Sequence, residues 1–211
     1  LIVCLQSQQS KSYHLGMGQG TSKANLAKAN EKRDYRIYET FALKLVAEVK
    51  KLALPELAFD LPIEAPVIAI DATIVDLCLN IFWWGKFRKH KAAVKLHTML
   101  DVKTNIPTFI YIPSGAIHEI NALDHLPIES GSFYLMDKAY IDFDRLFRMH
   151  NSGAFFVTRA KENFRFIRVS SRQIDKHTGL ICDQTVKLKN LKVSQDYPGL
   201  IRRVKYYDSD I

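Results

Sequence analysis

Val67-Ile68-Ala69-Ile70-Asp71-Ala72-Thr73 is the stretch on which the reading of this chain turns, with Pro66 standing just in front of it. Four apolar residues, three of them β-branched, lead into a single carboxylate. Continuous apolarity over so short a run predicts a strand buried on both faces, here with its acid at the tip. An acid in that place is costly unless it is paired, hydrogen-bonded or bound to a metal. Gly131-Ser132-Phe133-Tyr134-Leu135-Met136-Asp137 has the same grammar. Two buried strands that each deliver one Asp at the tip can place two carboxylates around one divalent cation.

Working outward from these strands, an apolar stretch from Ile74 to Trp84 follows Asp71. A basic run comes next, with Lys86, Arg88, Lys89, His90, Lys91 and Lys95 and no acid among them. Ala92 to Asp101 and Ile106 to Ile112 read as strands. The polar turn Val102-Lys103-Thr104-Asn105 between them predicts an antiparallel hairpin. An amphipathic helix fits Ile117 to Leu126. A second helix fits Asp142 to His150, with Asp142 at its cap and Gly153 beyond its end. Ala154 to Thr158 reads as a further strand. Strand, hairpin, helix, strand, helix, strand is the order of an α/β domain of ribonuclease H-like type, a mixed sheet flanked by helices. Its first and fourth strands lie side by side, so acids at their carboxyl ends meet where the strand order reverses.

The flanks differ from this core. Residues 1–62 read as a small helical part. Thr21 or Ser22 caps a helix over Lys23 to Asn30, and Tyr35, Tyr38, Ala42, Leu45, Val46, Val49 and Leu52 form one helical face ending before Pro55. Gly16-Met17-Gly18-Gln19-Gly20 lacks the preceding strand and the Lys-Ser/Thr of a phosphate loop, and reads as a turn. The core spans 63–160. In 161–211, Phe164 to Val169 and Ile201 to Tyr207 alternate as half-exposed strands do, and Asp175 to Gly179 reads as a turn, which gives a β-rich segment.

Composition narrows the function. The formal charge is +8, and from Arg145 to Lys205 14 Lys and Arg stand against 4 acids. This excess points to an anionic partner, nucleic acid first. Cys4, Cys78 and Cys182 are scattered, which argues against a disulfide framework or a zinc site and suits a reducing cytosol. Leu1 to Leu5 is too short for a signal-peptide core or a membrane span. The start on Leu1 reads as a chain cut from something longer.

Two-metal phosphodiester chemistry uses carboxylates to hold two divalent ions ~4 Å apart, and magnesium keeps several waters, so few protein ligands suffice. Asp71 and Asp137 are the candidate catalytic and metal-binding residues, with Mg or Mn as the ions. Lys86, Arg88, Lys89, Lys91, Lys95, Lys138, Arg159 and Lys161 are candidate contacts to the phosphates of double-stranded DNA. His97 reads as a core or edge residue. His118 and Glu119 do not make H-E-x-x-H, and His118 with His125 lacks a third ligand. Trp83-Trp84 reads as an apolar lid, and Ser114-Gly115 has no nucleophile elbow around it.

Ile70 to Leu79, Lys86 to Thr98 and Tyr134 to Phe143, with Tyr13 to Gly16 and Ala27 to Asp34 upstream, together resemble bacterial DDE transposases of the insertion-sequence-four class. The resemblance implies a ribonuclease H-like catalytic core with a β-rich insertion before its last catalytic helix, and matches Asp71 and Asp137 to the first two catalytic acids. It implies metal-dependent cutting at insertion-sequence ends with strand transfer into target DNA, a homodimer when intact, and a place in the bacterial cytoplasm at the nucleoid. It also exposes two departures. The third acid, a Glu in a Y-x2-R-x3-E-x6-K pattern, is absent, and Glu162, Asp208 and Asp210 do not replace it. Lys138-Ala139 stands where the family has Arg-Gly. The expectation is a transposase truncated at both ends and inactive by itself. The alternatives are a non-catalytic DNA-binding remnant and a ribonuclease H-like nuclease.

Overall fold

A computed structural model describes residues 2–14, 16, 21–34, 36–52, 62–77, 86–88, 91–113 and 119–207. The chain divides into two compact units, Leu1–Leu54 and Pro55–Ile211.

The first unit is helical: α1 (Ile2–Ser7), α2 (Gln9–His14), α3 (Lys23–Lys32) and α4 (Arg36–Lys51). The short helices α1 and α2 lie before the expected turn and are additions to the sequence reading. Ser22 caps α3 by accepting a hydrogen bond from the Asn25 amide at 3.1 Å, which satisfies one of the free donors of the first turn. Helix α4 carries the expected apolar stripe, yet none of its residues is buried. Tyr35 of that stripe and the turn residues 17–20 lie outside the described residues.

The second unit is built on a mixed sheet. Its strands are β1 (Val67–Leu77), β2 (Lys86–Arg88), β3 (Lys91–Asp101), β4 (Ile106–Tyr111), β5 (Phe133–Met136) and β6 (Phe155–Thr158). They run in the order β2-β3-β1-β5-β6, with β4 also pairing on β3. Without β2 this is the ribonuclease H-like order, and β1 and β5 are parallel neighbours, as expected. The β3–β4 hairpin turns through Asn105, whose φ of 56° is left-handed, a conformation that Asn tolerates better than most residues. Asp101 Oδ1 accepts a bond from the Lys103 amide inside that turn.

Strand β1 departs from expectation in length. It does not stop at Asp71 but runs on to Leu77, because ten rungs of an antiparallel ladder with β3 carry it from Ile68↔Asp101 to Leu77↔Ala92. The β-branched Thr73, Ile74 and Val75 suit that ladder. Only the first half of β1 pairs on both sides. The short strand β2 likewise adds part of the basic run to the β3 edge.

The expected helix over Ile117 to Leu126 is short. Helix α5 covers Glu119–Ala122 and gives way to turns before Pro127, while 114–118 lie outside the described residues. Helix α6 (Phe143–Asn151) matches its expectation. Asp142 caps it by accepting from the Arg145 amide at 3.1 Å, and Gly153 follows at φ +76°. A side chain there would be strained, and its Cβ would stand 2.6 Å from Ser130 Oγ. The tail forms a three-stranded antiparallel sheet of β7 (Phe166–Ser171), β8 (Leu180–Leu188) and β9 (Ile201–Tyr206), in the order β7-β8-β9. Between the last two lies α7 (Leu191–Asp196). Strand β8 and helix α7 are additions to the sequence reading.

One hydrophobic core joins these parts. Ile68 and Ile70 of β1, Tyr134 and Met136 of β5, and Leu146 and Met149 of α6 pack in one cluster with Leu188 and Tyr197 from the tail. Emptying a site such as Leu146, 1% exposed, costs about 2–5 kcal/mol. The rigidity of the two strand ends comes from this packing.

Candidate active site

Strand register decides where the two acids stand. Ile70 and Met136 are the last paired rungs of the parallel β1–β5 ladder, so Asp71 and Asp137 follow on neighbouring strands at the same end. Both line one open cavity of about 470 Å³, together with Thr158 and Arg159. The structure therefore brings the two sequence-predicted acids together.

Their surroundings differ. Asp71 is exposed and its carboxylate has no hydrogen-bond or ion-pair partner among the described residues, so the desolvation cost expected of a strand-end acid does not arise. Asp137 is half-buried and accepts one bond from Arg159 Nη2 at 2.7 Å. That hydrogen bond lowers the pKa of Asp137, and the backbone N–H groups of Lys138 and Ala139 act in the same direction. Residues 138–140 form one 3-10 turn, so Lys138-Ala139 closes the bend without a glycine. It also aims Tyr140 inward, where its hydroxyl meets His97 Nδ1 at 2.9 Å.

The basic candidates scatter. Lys138, Arg159 and Lys161 are exposed, Arg159 alone of the three lining the cleft, and Lys161 Nζ donates to the Ile141 carbonyl at 3.4 Å. Lys86 and Arg88 lie on β2 and Lys91 opens β3, while their side chains and all of Lys89 lie outside the described residues. Lys95 departs from expectation. Strand alternation puts it on the face of β3 that carries Ala93, His97 and Met99, and at 5% exposure it is not a surface contact for a duplex. His97 is a fully buried core residue. His125 stacks on Tyr111 at 4.5 Å between ring centroids, while His118, Trp83-Trp84 and Ser114-Gly115 lie outside the described residues. Cys4 and Cys182 are free.

Glu162 is exposed in a turn after β6, and Asp208 and Asp210 lie outside the described residues. Among the described residues no group of three His, Cys, Asp or Glu converges on one point. Sequence reasoning missed the Arg159–Asp137 pair, although the signal was present: Arg159 follows the apolar run Ala154 to Thr158 just as Asp137 follows Phe133 to Met136.

Two hard-oxygen ligands on a rigid sheet end, with a guanidinium standing as a cation against one of them, fit part of a divalent-metal site. An α/β domain with this strand order defines a class of fold, the ribonuclease H-like domains. The comparisons name the family: residues 62–203 match the Transposase DDE domain, and the chain belongs to it. The chain is 29% identical over 192 residues to "Putative transposase y4zB" of Sinorhizobium fredii, an alignment that takes in 88% of this chain and 51% of the relative. It is 25% identical over 128 residues to "Probable transposase for insertion sequence element IS5377" of Geobacillus stearothermophilus, covering 58% of this chain and 34% of that protein. The chain thus spans about half the length of the first relative and a third of the second. No solved structure gives a significant match. Among the described residues, no helix is long and apolar enough to cross a membrane.

Proposed function

We propose that this chain carries the first two metal-binding acids of a DNA transposase of the insertion-sequence-four class, the protein that moves an element by cutting its ends and joining them to target DNA. The observation that carries the reading is the parallel β1–β5 register, which sets Asp71 and Asp137 side by side at one cleft. Asp71 would be the open ligand and Asp137 the second. Divalent magnesium or manganese, when bound, supplies Lewis-acid polarisation of the scissile phosphodiester. The chain's own part is to hold anionic oxygens at a fixed spacing on a packed sheet and to offer cations to the phosphates on either side. Lys138, Arg159 and Lys161 are the proposed phosphate contacts beyond Asp137, and the basic run Lys86, Arg88, Lys89 and Lys91 supplies further ones. The family's third acid is to be sought outside these 211 residues, and synapsis of two ends calls for a dimer.

The test joins this chain to the coding sequence downstream of Ile211 and assays end cleavage with magnesium or manganese. The expected result is metal-dependent cleavage that disappears in Asp71→Ala and in Asp137→Ala. Cleavage surviving both substitutions removes these acids from the mechanism. A second reading, a non-catalytic DNA-binding remnant, is favoured by the lack of a third converging acid among the described residues. It predicts steeply salt-dependent DNA affinity and no metal-dependent hydrolysis at any chain length.

A further inference from the structure

The register that sets the two acids together also delivers a basic residue to one of them. Met136 and Thr158 are the last paired rungs of β5 and β6, so Asp137 and Arg159 leave parallel neighbours side by side. Their ion pair is one contact, Nη2 to Oδ1, and the arginine side chain is 80% exposed. It makes no other hydrogen bond among the described residues. An arginine placed to fix structure looks different in this molecule: Arg202 grips the buried Asp183 through Nε at 3.1 Å and Nη2 at 2.8 Å. Arg159 is held by little and stands at the mouth of the cleft that Asp71 and Asp137 share.

We infer that Arg159 is an exchangeable counter-ion, which holds Asp137 while the cleft is free of metal, yields to a divalent cation, and then takes a DNA phosphate. This rests on the metal-site reading above and adds a coupling to it. A divalent ion held by Asp71 and Asp137 would carry twice the guanidinium's charge and draw on both acids, whereas Arg159 reaches one. The displaced guanidinium has a better partner in a phosphate, which accepts two parallel bonds where Asp137 accepts one. Metal and DNA then each strengthen the binding of the other by the same factor.

The experiment titrates MnCl2 into the 211-residue chain by electron paramagnetic resonance, with and without a labelled duplex, and measures duplex affinity by anisotropy with and without MnCl2. Without DNA, Arg159→Gln is expected to bind Mn2+ about two- to fivefold tighter than wild type, the worth of one exposed pair. It is also expected to lose the metal-dependent gain in duplex affinity. Arg159→Lys, which keeps the charge, is expected to stay near wild type for Mn2+. Unchanged or weaker Mn2+ binding in Arg159→Gln, alongside Asp71→Asn and Asp137→Asn variants that do lower it, overturns the inference and leaves the metal site standing. Mn2+ binding indifferent to both aspartates overturns the metal-site reading and the inference with it.

Discussion

Asp124 and Asp137 both face arginine, but they are held in opposite ways. Asp124, in the turn after α5, receives Nε and Nη2 of Arg145 and Nη2 of Arg148. Both arginines stand on α6, one turn apart, and Arg145 also reaches Asp142 at the helix cap. The network ties the turn to the helix and lowers the Asp124 pKa to about 2, chiefly through the Arg145 hydrogen bond. Asp137 has one arginine, which reaches it through one contact at the edge of an open cleft. The difference separates fixing a shape from keeping a charge ready. A multiply held carboxylate cannot exchange its partner without moving a helix, while a singly held one can exchange at small cost.

The largest effect expected from this contrast lies in chemistry. In the protein joined to its downstream sequence, Asp137→Asn is expected to lower end cleavage by about a hundredfold or more, since ligand loss costs at least what losing an outer-shell partner does. Asp124→Asn is expected to leave the cleavage rate within severalfold. Equal losses in a gel-based cleavage assay would erase the distinction.

Stability is expected to run the other way. Arg145→Ala removes a two-pronged contact and a cap partner from a side chain that is only 22% exposed, and should cost about 1–2 kcal/mol in urea unfolding. Acid unfolding sharpens the same point. A carboxylate whose pKa is lowered by folding stabilises fully above its unfolded value, about 3.9, and loses that contribution as pH falls toward the folded one. Wild type should therefore lose stability between about pH 4 and pH 2, and Asp124→Asn should flatten that slope; an unaltered slope assigns the acid sensitivity elsewhere. The smallest expected effect is Arg159→Gln, within about 0.5 kcal/mol of wild type by thermal unfolding. A larger loss would mean that Arg159 builds the fold.

How much of this was legible depended on where each compensation lies. Strands β1 and β5 were readable because their apolar runs are continuous and local. The strand order followed from element order, and Asp71 and Asp137 followed from both. Strand β8 was not readable, because Asp183, Gln184 and Thr185 interrupt its pattern. The buried Asp183 is satisfied by Arg172, just past the end of β7, and by Arg202 on β9, partners that a local window cannot see. The overlong β1 was half legible: Thr73, Ile74 and Val75 favour a strand, but only the partner β3 keeps them in one. Lys95 was misread as a contact because a count of basic residues ignores which face of a strand each occupies. Arg159 was found as a cation and missed as a partner, since its role needs the β5–β6 register.

Tyr197 carries a consequence beyond its own packing. It comes from the tail just after α7, is 2% exposed, and meets His150 Nδ1 through its hydroxyl at 3.0 Å. Its ring sits edge-on to Phe147 of α6 and Phe156 of β6. The three-stranded tail is thereby stapled to the helix and strand behind the cleft. In hydrogen-exchange terms, amides of β8, α6 and β6 should belong to one opening unit and not to a module that frays alone. A Tyr197→Ala variant should then raise exchange at β6 as much as at β8. With Leu188, Tyr197 turns a load on the basic tail into a load on the strand that presents Arg159.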